Sequence, residues 1–454
     1  MKMQAIDNKF ECIKFIPYTL FDLWDTKRYT SQGFSSAFEI VNLGICIKEE
    51  SKKYKLFLDE EKEFGILGVS NKVGIFDAYV QKGKDINQPY KKMDIGWLAY
   101  NPYRINVGSI GIKKAEHKND YISPAYVVFS CNEKLLPEFL FLLFKTDTFN
   151  RIINQSTTGS VRQNLTIDIL KTLKIPLPEI NQQHSLVQDY FSKIHASSVL
   201  EEEANSLERE IDNYLYEALE INPSINKNEA VNLSFVNFEE VERWSVDFLI
   251  NNKYSVSMTK GRYPSIKLKN FMKGYQYGLS DKASKENIGI PMLRMNNIFN
   301  SELLINDLKY IPDDPSLGNY ILAKGDLLFN RTNSKELVGK TAVFDLDGKY
   351  TFASYLIRVR INPEIANVFY VNYLFNSSIL KFQKDLVSRQ ITGQANINAQ
   401  EMQDFLFPLP PLCEQNRIVS VINNRVDQIK KLREKAEYLT YSAGEDFEKS
   451  VFSL

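Results

Sequence analysis

The chain contains a long internal repeat. Residues 156–194 read STTGSVRQNLTIDILKTLKIPLPEINQQHSLVQDYFSKI, and residues 388–426 read SRQITGQANINAQEMQDFLFPLPPLCEQNRIVSVINNRV. In each, an apolar residue precedes Pro-Leu-Pro, a Gln follows, and a long helical pattern begins. Ile175-Pro176-Leu177-Pro178 aligns with Phe407-Pro408-Leu409-Pro410, and Gln183 with Gln415, at a constant offset of 232 residues. A repeat of this size specifies two similar domains, each followed by a similar helix. It suits a target that also comes in two halves.

The helices follow from periodicity. Over 182–220, Leu200, Ala204, Leu207, Ile211, Tyr214, Leu215 and Ala218 recur at three- and four-residue steps, the seam of a coiled coil. Over 412–454 the stripe is Ile422, Ile429, Leu432, Ala436, Leu439, Ala443 and Phe447. Each helix is about 57 Å long at 1.5 Å per residue, with an apolar stripe too narrow to be stable alone. Antiparallel pairing removes that difficulty. It also sets the acidic stretch Glu201–Glu210 opposite the basic stretch Arg425–Lys435, a match that selects orientation although each exposed pair contributes little.

The remainder is strand-rich. Residues 1–181 hold short β-like runs (FGILGVS, GWLAYN, SIGIKK, AYVVFS) punctuated by Gly and Asn. An apolar helical stretch, LLPEFLFLLFKTDTFNRIINQ, comes next, and then the extended Pro-Leu-Pro entry. Residues 221–234, opening INPSINKN, read as a linker, and 235–411 repeat the first unit. The class expected is α+β: two tandem similar mixed domains (1–181 and 235–411), separated and followed by long helices (182–220 and 412–454) that pair as an antiparallel coiled coil.

Net charge is zero, which conceals an uneven distribution. Residues 182–220 hold nine acids and two bases, so the rest of the chain is mildly basic and compatible with a nucleic-acid face. The four cysteines (Cys12, Cys46, Cys131, Cys413) are scattered without CxxC spacing and read as free thiols of a reducing cytoplasm. No run is long and apolar enough to span a membrane, and the start lacks the apolar core of a signal peptide. The three histidines (His117, His184, His195) have no metal-ligand spacing, and there is neither a P-loop nor a GxGxxG. Asn101-Pro102-Tyr103 resembles an adenine-methyltransferase motif but lacks its second proline, and the repeat pairs it with Asn330-Arg331, which has no such chemistry.

The repeat extends backward through both units. Trp24 and Trp244 each open one. GILGVSNKVGIFDAY (65–79) parallels IPMLRMNNIFNSELL (290–304), and AYVVFS (125–130) parallels SYLIRV (354–359). DIGWLAYNPYRINVGSIGI (94–112) parallels KGDLLFNRTNSKELVGKTAVF (324–344), with Gly96/Gly325, Asn101/Asn330 and Gly108/Gly339 in correspondence. In this order the segments resemble the DNA-specificity subunits of type I restriction–modification systems. PMLRMNNI, ILAKGDLLFNRTNS, LVGKTAVF, SYLIRV and FPLPPLCEQNRIV of the second unit carry the likeness most fully. The resemblance covers nearly the whole chain.

That resemblance implies a non-catalytic subunit with two target-recognition domains, each reading one half of a bipartite double-stranded DNA sequence. The paired helices would set the spacing between half-sites and dock two methyltransferase (modification) subunits. A motor-nuclease (restriction) subunit would join for cleavage. The chain itself would bind no cofactor: S-adenosylmethionine belongs to the modification subunits, ATP and Mg to the motor-nuclease. Two other readings are a self-contained DNA methyltransferase or nuclease and a coiled-coil scaffold without a DNA role.

Base readout calls for Arg, Lys, Asn, Gln, Ser and Thr on exposed loops. In the second unit the candidates are Tyr275, Gln276 and Tyr277 between glycines; Arg294, Asn296 and Asn297; Asn330, Arg331, Thr332 and Ser334; and Arg389, Gln390 and Gln394. In the first they are Ser70, Asn71 and Lys72; Tyr103, Arg104 and Asn106; and Arg162, Gln163 and Asn164. Arg331 and Arg104 are the foremost, and ordinary polar turns are the alternative for each. Gly96, Gly108, Gly325 and Gly339 read as turn formers, the tryptophans as core, and Gln183 and Gln415 as helix-start structure.

Overall fold

The computed structural model describes residues 33–105, 108–156, 164–222, 261–391 and 393–452. Trp24, Trp244 and all of the expected linker but its first two residues lie outside that set. The fold is α+β, in two compact units: residues 1–201 with 434–454, and residues 202–433. Each unit contains a stretch of the central helix, Ile180–Ala218, and a stretch of the C-terminal helix, Leu412–Val451.

In the first unit, a four-stranded antiparallel sheet runs in the order Ile47–Glu49, Val127–Cys131, Leu98–Tyr100, Ile110–Ile112. A five-stranded sheet holds the long hairpin Glu63–Ser70/Gly74–Lys82, whose first strand lies parallel to Tyr121–Ile122. The Pro-Leu-Pro segment is a strand, Lys174–Leu177, antiparallel to Glu39–Asn42. Its Ile175 is fully buried among Phe139, Leu143 and Phe149 of the helices Pro137–Leu143 and Asp147–Ser156.

The second unit repeats this plan. Its four-stranded sheet runs Met272–Tyr277, Leu356–Ile361, Asp326–Asn330, Thr341–Val343. Ile290–Leu293 lies parallel to Thr351–Phe352. Leu406–Pro408 pairs with Ser265–Lys267, and Phe407 is buried against Phe271 and Phe375.

Strand register confirms the glycine and asparagine correspondences. Gly96 and Gly325 both have positive φ and donate to the far strand, to Lys113 and Phe344. Asn101 and Asn330 donate to Ser109 and Lys340, one residue past Gly108 and Gly339. Two strand matches shift by one residue. Ile66 pairs with Tyr121 as Met292 pairs with Thr351, so Ile66 is the equivalent of Met292. Val128 faces Ala99 as Arg358 faces Leu328, so Val128 is the equivalent of Arg358. Side chains alternate along a strand, so each shift swaps which residues face the core.

In the first unit Ser197 Oγ donates to the Ala436 carbonyl (2.8 Å), Lys193 pairs with Asp446, and the rings of Tyr190 and Phe447 lie 6.3 Å apart. The Glu448 carboxylate accepts from the N–H groups of Asp147 (3.2 Å) and Thr148 (2.8 Å), where a helix start favours negative charge. In the second unit Arg433 donates to Glu208 (2.9 Å) and Asn205 (3.1 Å), and Arg425 donates to the Glu210 carbonyl (3.0 Å) with its guanidinium over Tyr214. Within each unit, higher numbers on one helix meet lower numbers on the other, the antiparallel sense. Ile422, Ile429, Ala436, Ala443 and Phe447 of the expected stripe are buried.

One side chain ties each unit together. The fully buried Gln183 accepts from the Leu136 N–H (2.8 Å) and donates to the carbonyls of Lys134 (2.9 Å) and Pro178 (2.8 Å). Gln415, equally buried, accepts from Asn367 N–H (2.9 Å) and donates to Ile365 (3.1 Å) and Pro410 (2.8 Å). Both grip the last proline of Pro-Leu-Pro and the residue before a helix, Pro137–Leu143 or Val368–Asn376. Replacing Gln415 by Leu leaves main-chain groups buried without partners, and urea unfolding should register a loss of about 3 kcal/mol. Gln415→Glu keeps the acceptor, loses both donors and buries a charge, so its loss should be at least as large.

Candidate nucleic-acid interface

In the second unit the structure gathers two of the expected loops into one small sheet. Thr332–Asn333, Gln394–Asn396 and Arg389–Ile391 are its strands, with Asn396 between Thr332 and Arg389 in register. Gly393, at positive φ, makes the hairpin turn. Arg331 is held on both sides: its N–H donates to the Tyr355 carbonyl (3.0 Å) and its carbonyl accepts from Ile397 N–H (2.9 Å). Its guanidinium lies 5.1 Å over the ring of Tyr277, and Nη1 reaches the Ser354 carbonyl at 3.5 Å. Tyr277 is fixed in turn, its hydroxyl accepting from Ala399 N–H (3.1 Å).

Several expected contacts change role. Tyr275, Gln276 and Tyr277 form not a loop but the end of an edge strand, Met272–Tyr277, so alternate residues face opposite ways. Tyr275 and Tyr277 are exposed with rings 6.1 Å apart, while Gln276 accepts a hydrogen bond from buried Arg358. Asn330 and Thr332 are buried; Asn330 closes a core strand, and Thr332 accepts from Asn396 (3.1 Å). Asn297 is buried too, accepting from Arg294 N–H and donating to the Leu304 carbonyl. Arg294 is paired with Asp307 at 3.1 Å. Asn296 and Gln394 are exposed and Ser334 half-buried. The backbones of Arg389 and Gln390 lie in the small sheet; their side chains are outside the described set.

In the first unit Tyr103 and Arg104 are exposed on a turn organised by Asn101, whose side chain accepts from Tyr103 N–H (3.0 Å) and whose carbonyl accepts from Arg104 N–H (3.0 Å). The Pro102 carbonyl accepts from Leu165 N–H (3.0 Å), which brings Asn164 beside this turn. Asn164 Oδ1 is buried and has no partner among the described residues. Asn71 and Lys72 are exposed at the tip of the long hairpin, where Ser70 Oγ accepts from Val73 N–H. A Cβ on Gly111 would come within 2.3 Å of Ile75 N, so the hairpin crosses close over the strand that follows the turn. Asn106, Arg162 and Gln163 lie outside the described residues.

Tyr355, missed in the sequence, stands 48% exposed beside Arg331. It sits one residue before a core strand, inside a run that reads as strand throughout. Asn333 and Asn396 join the same small sheet. Among the described residues no cluster of His, Cys, Asp or Glu could hold a metal ion, and no helix is long and apolar enough to cross a membrane.

The two-copy frame is that of a known class. The model of the type I restriction modification DNA specificity domain matches residues 48–209 and 267–438, one copy in each repeat, and the chain belongs to that family. It is 29% identical over 177 residues to the MjaX specificity subunit of Methanocaldococcus jannaschii, covering 38% of this chain and 41% of that one. It is 23% identical over 304 residues to the type I restriction enzyme EcoKI specificity subunit of Escherichia coli, covering 65% and 59%. The matches thus span less than two thirds of these relatives. A chain solved in work on complex assembly and conformational transition of the type I R-M system shares the fold, with a TM-score of 0.57 at 16% identity, covering 92% of this chain and 99% of that one.

Behind the Arg331 loop lies a buried cation. Lys384 is 8% exposed, donates to the Phe375 carbonyl, and packs so closely on Gly339 that a Cβ there would be 2.5 Å from its Cδ. Burial desolvates the ammonium and, with Lys340 and Lys381 nearby and only Asp385 opposing, pushes its pKa down from 10.5 to about 8. Between these values the unfolded chain keeps a proton that the folded protein has lost, so stability rises with pH across that window. The shift corresponds to roughly 3 kcal/mol. Urea unfolding at intervals across the window should show this gain in the wild type and not in Lys384→Met.

Proposed function

We propose that this chain is the DNA-specificity subunit of a type I restriction–modification complex. Residues 1–181 and 235–411 act as target-recognition domains, each reading one half of a bipartite double-stranded DNA sequence. Residues 182–220 and 412–454 act as spacer helices, and 221–234 as a linker. The observation that carries the reading is the family match in two copies, one on each copy of the repeated frame; the first presents exposed Tyr103 and Arg104, and the second half-buried Arg331 beside exposed Tyr277. Asn71, Lys72, Tyr103 and Arg104 contact one half-site, and Tyr275, Tyr277, Asn296, Arg331, Ser334 and Gln394 the other. Contacts to phosphates set position, and contacts to base edges set sequence.

The chain is non-catalytic alone. It docks two modification subunits that bring S-adenosylmethionine, and motor-nuclease subunits that bring ATP and Mg, in the cytoplasm. Methylome sequencing of cells with and without the chain should reveal a bipartite motif that disappears on deletion; an unchanged methylome overturns the reading. Inserting four residues near Ala204 should alter the unread gap and leave both half-site sequences as they were. Isolated chain that binds S-adenosylmethionine would point instead to a self-contained methyltransferase.

A further inference from the structure

We infer that Arg331 reads a guanine in the half-site of the second unit, and that Tyr277 is the residue that positions it. This rests on the proposed DNA-reading role and adds which base is read and how. Four restraints converge on Arg331. Its backbone is bonded on both sides, to Tyr355 and Ile397. Its guanidinium stacks on Tyr277, and that ring is pinned by the bond from Ala399 N–H. Its Nε is buried and has no hydrogen-bond partner among the described residues, so packing rather than polar capture holds the stem. Among those residues the head has one polar contact, to the Ser354 carbonyl at 3.5 Å, at the long limit for a hydrogen bond and readily exchanged.

A surface arginine normally loses side-chain freedom on binding. Here the stack has already restricted it, so a base edge meets a fixed fork. The fork selects the base. Guanidinium only donates, and guanine alone presents two acceptors, N7 and O6, on one major-groove edge. Adenine and cytosine present an amino donor there, which an arginine fork meets unfavourably. The neighbours fit the same surface: Tyr275, Tyr277 and Tyr355 are exposed, giving flat faces around the fork.

The test uses the full chain expressed with its modification partners, read by base-resolution methylome sequencing and by competition binding of the assembled complex to duplexes varied at one position. Arg331→Ala should relax one guanine position in one half-site, by about ten- to a hundred-fold in discrimination, with the other half and the gap unchanged. Arg331→Gln, which donates and accepts, should move preference at that position toward adenine. Tyr277→Leu should relax the same position, and Tyr277→Phe, which keeps the ring and loses only the bond from Ala399 N–H, should relax it less. The inference is overturned if the motif survives Arg331→Ala unchanged. It is equally overturned if the relaxed position is an A·T pair, or if binding weakens evenly over all sequences as a phosphate contact would. Should Arg331→Ala fail to assemble, Arg331→Gln and Tyr277→Leu decide by the same criteria. Absence of any bipartite motif in the wild type would sink the proposed function itself, a distinct outcome.

Discussion

The fold of each unit turns on one buried amide. Three main-chain groups converge at the start of each long helix: a carbonyl from the last proline of Pro-Leu-Pro, a carbonyl from the loop before the first domain helix, and the N–H of the residue that opens that helix. Only a side chain with one acceptor and two donors satisfies all three, and a glutamine has the reach. Gln183 and Gln415 do so with bonds of 2.8–3.1 Å and no exposure. The gripped residues differ, Leu136 in one unit and Asn367 in the other, because the clamp binds backbone. The angle between strand, domain helix and long helix is thereby independent of most of the sequence around it.

Within that frame the two units are built from unlike chemistry. The second unit buries an ion network where the first has Val128. Arg358 pairs with Asp326 (3.4 Å), donates to the carbonyls of Ile321 and Asn319, lies over Phe352 and holds Gln276. Burial lowers the pKa of its guanidinium, with Asp326 opposing. Because breaking one partner of such a network strands the others in a dry site, it fixes the edge strand that carries Tyr275 and Tyr277. The first unit gains equivalent rigidity from its long hairpin and from Gly111 packed tightly under Ile75.

The parts of the fold readable in the sequence are those set by local rules. Three- and four-residue periodicity gave the long helices, and the tight turns showed as Gly96, Gly108, Gly325 and Gly339, all with positive φ in the structure. Strand register was legible only to within a residue, because AYVVFS is apolar on most of both faces and carries no alternation to fix it, while the Arg of SYLIRV is buried in an ion pair. The site was harder. Asn330 and Thr332 are polar and lie in a Gly- and Asn-rich run, yet the first closes a core strand and the second is bonded to Asn396, 64 residues away. Glycines flanking Tyr275-Gln276-Tyr277 suggested a loop, whereas pairing with Leu356–Ile361 makes it a strand. Such partners are distant in sequence and leave no local signal.

The equivalence of Pro102 and Arg331 explains how one frame carries unlike side chains. Both residues accept, through the main-chain carbonyl, from the N–H of the residue entering the next short helix segment, Leu165 or Ile397. Proline has no N–H to give, so the bond that Arg331 makes to Tyr355 has no counterpart in the first unit. The shared requirement at this position is one carbonyl, which any residue supplies. Its side chain is therefore unconstrained by these shared bonds and can be a guanidinium over a tyrosine ring in one unit and a rigid proline ring beside exposed Tyr103 and Arg104 in the other. A scaffold fixed through backbone bonds and two buried glutamines leaves the side chains of this loop free to change one residue at a time without refolding around it.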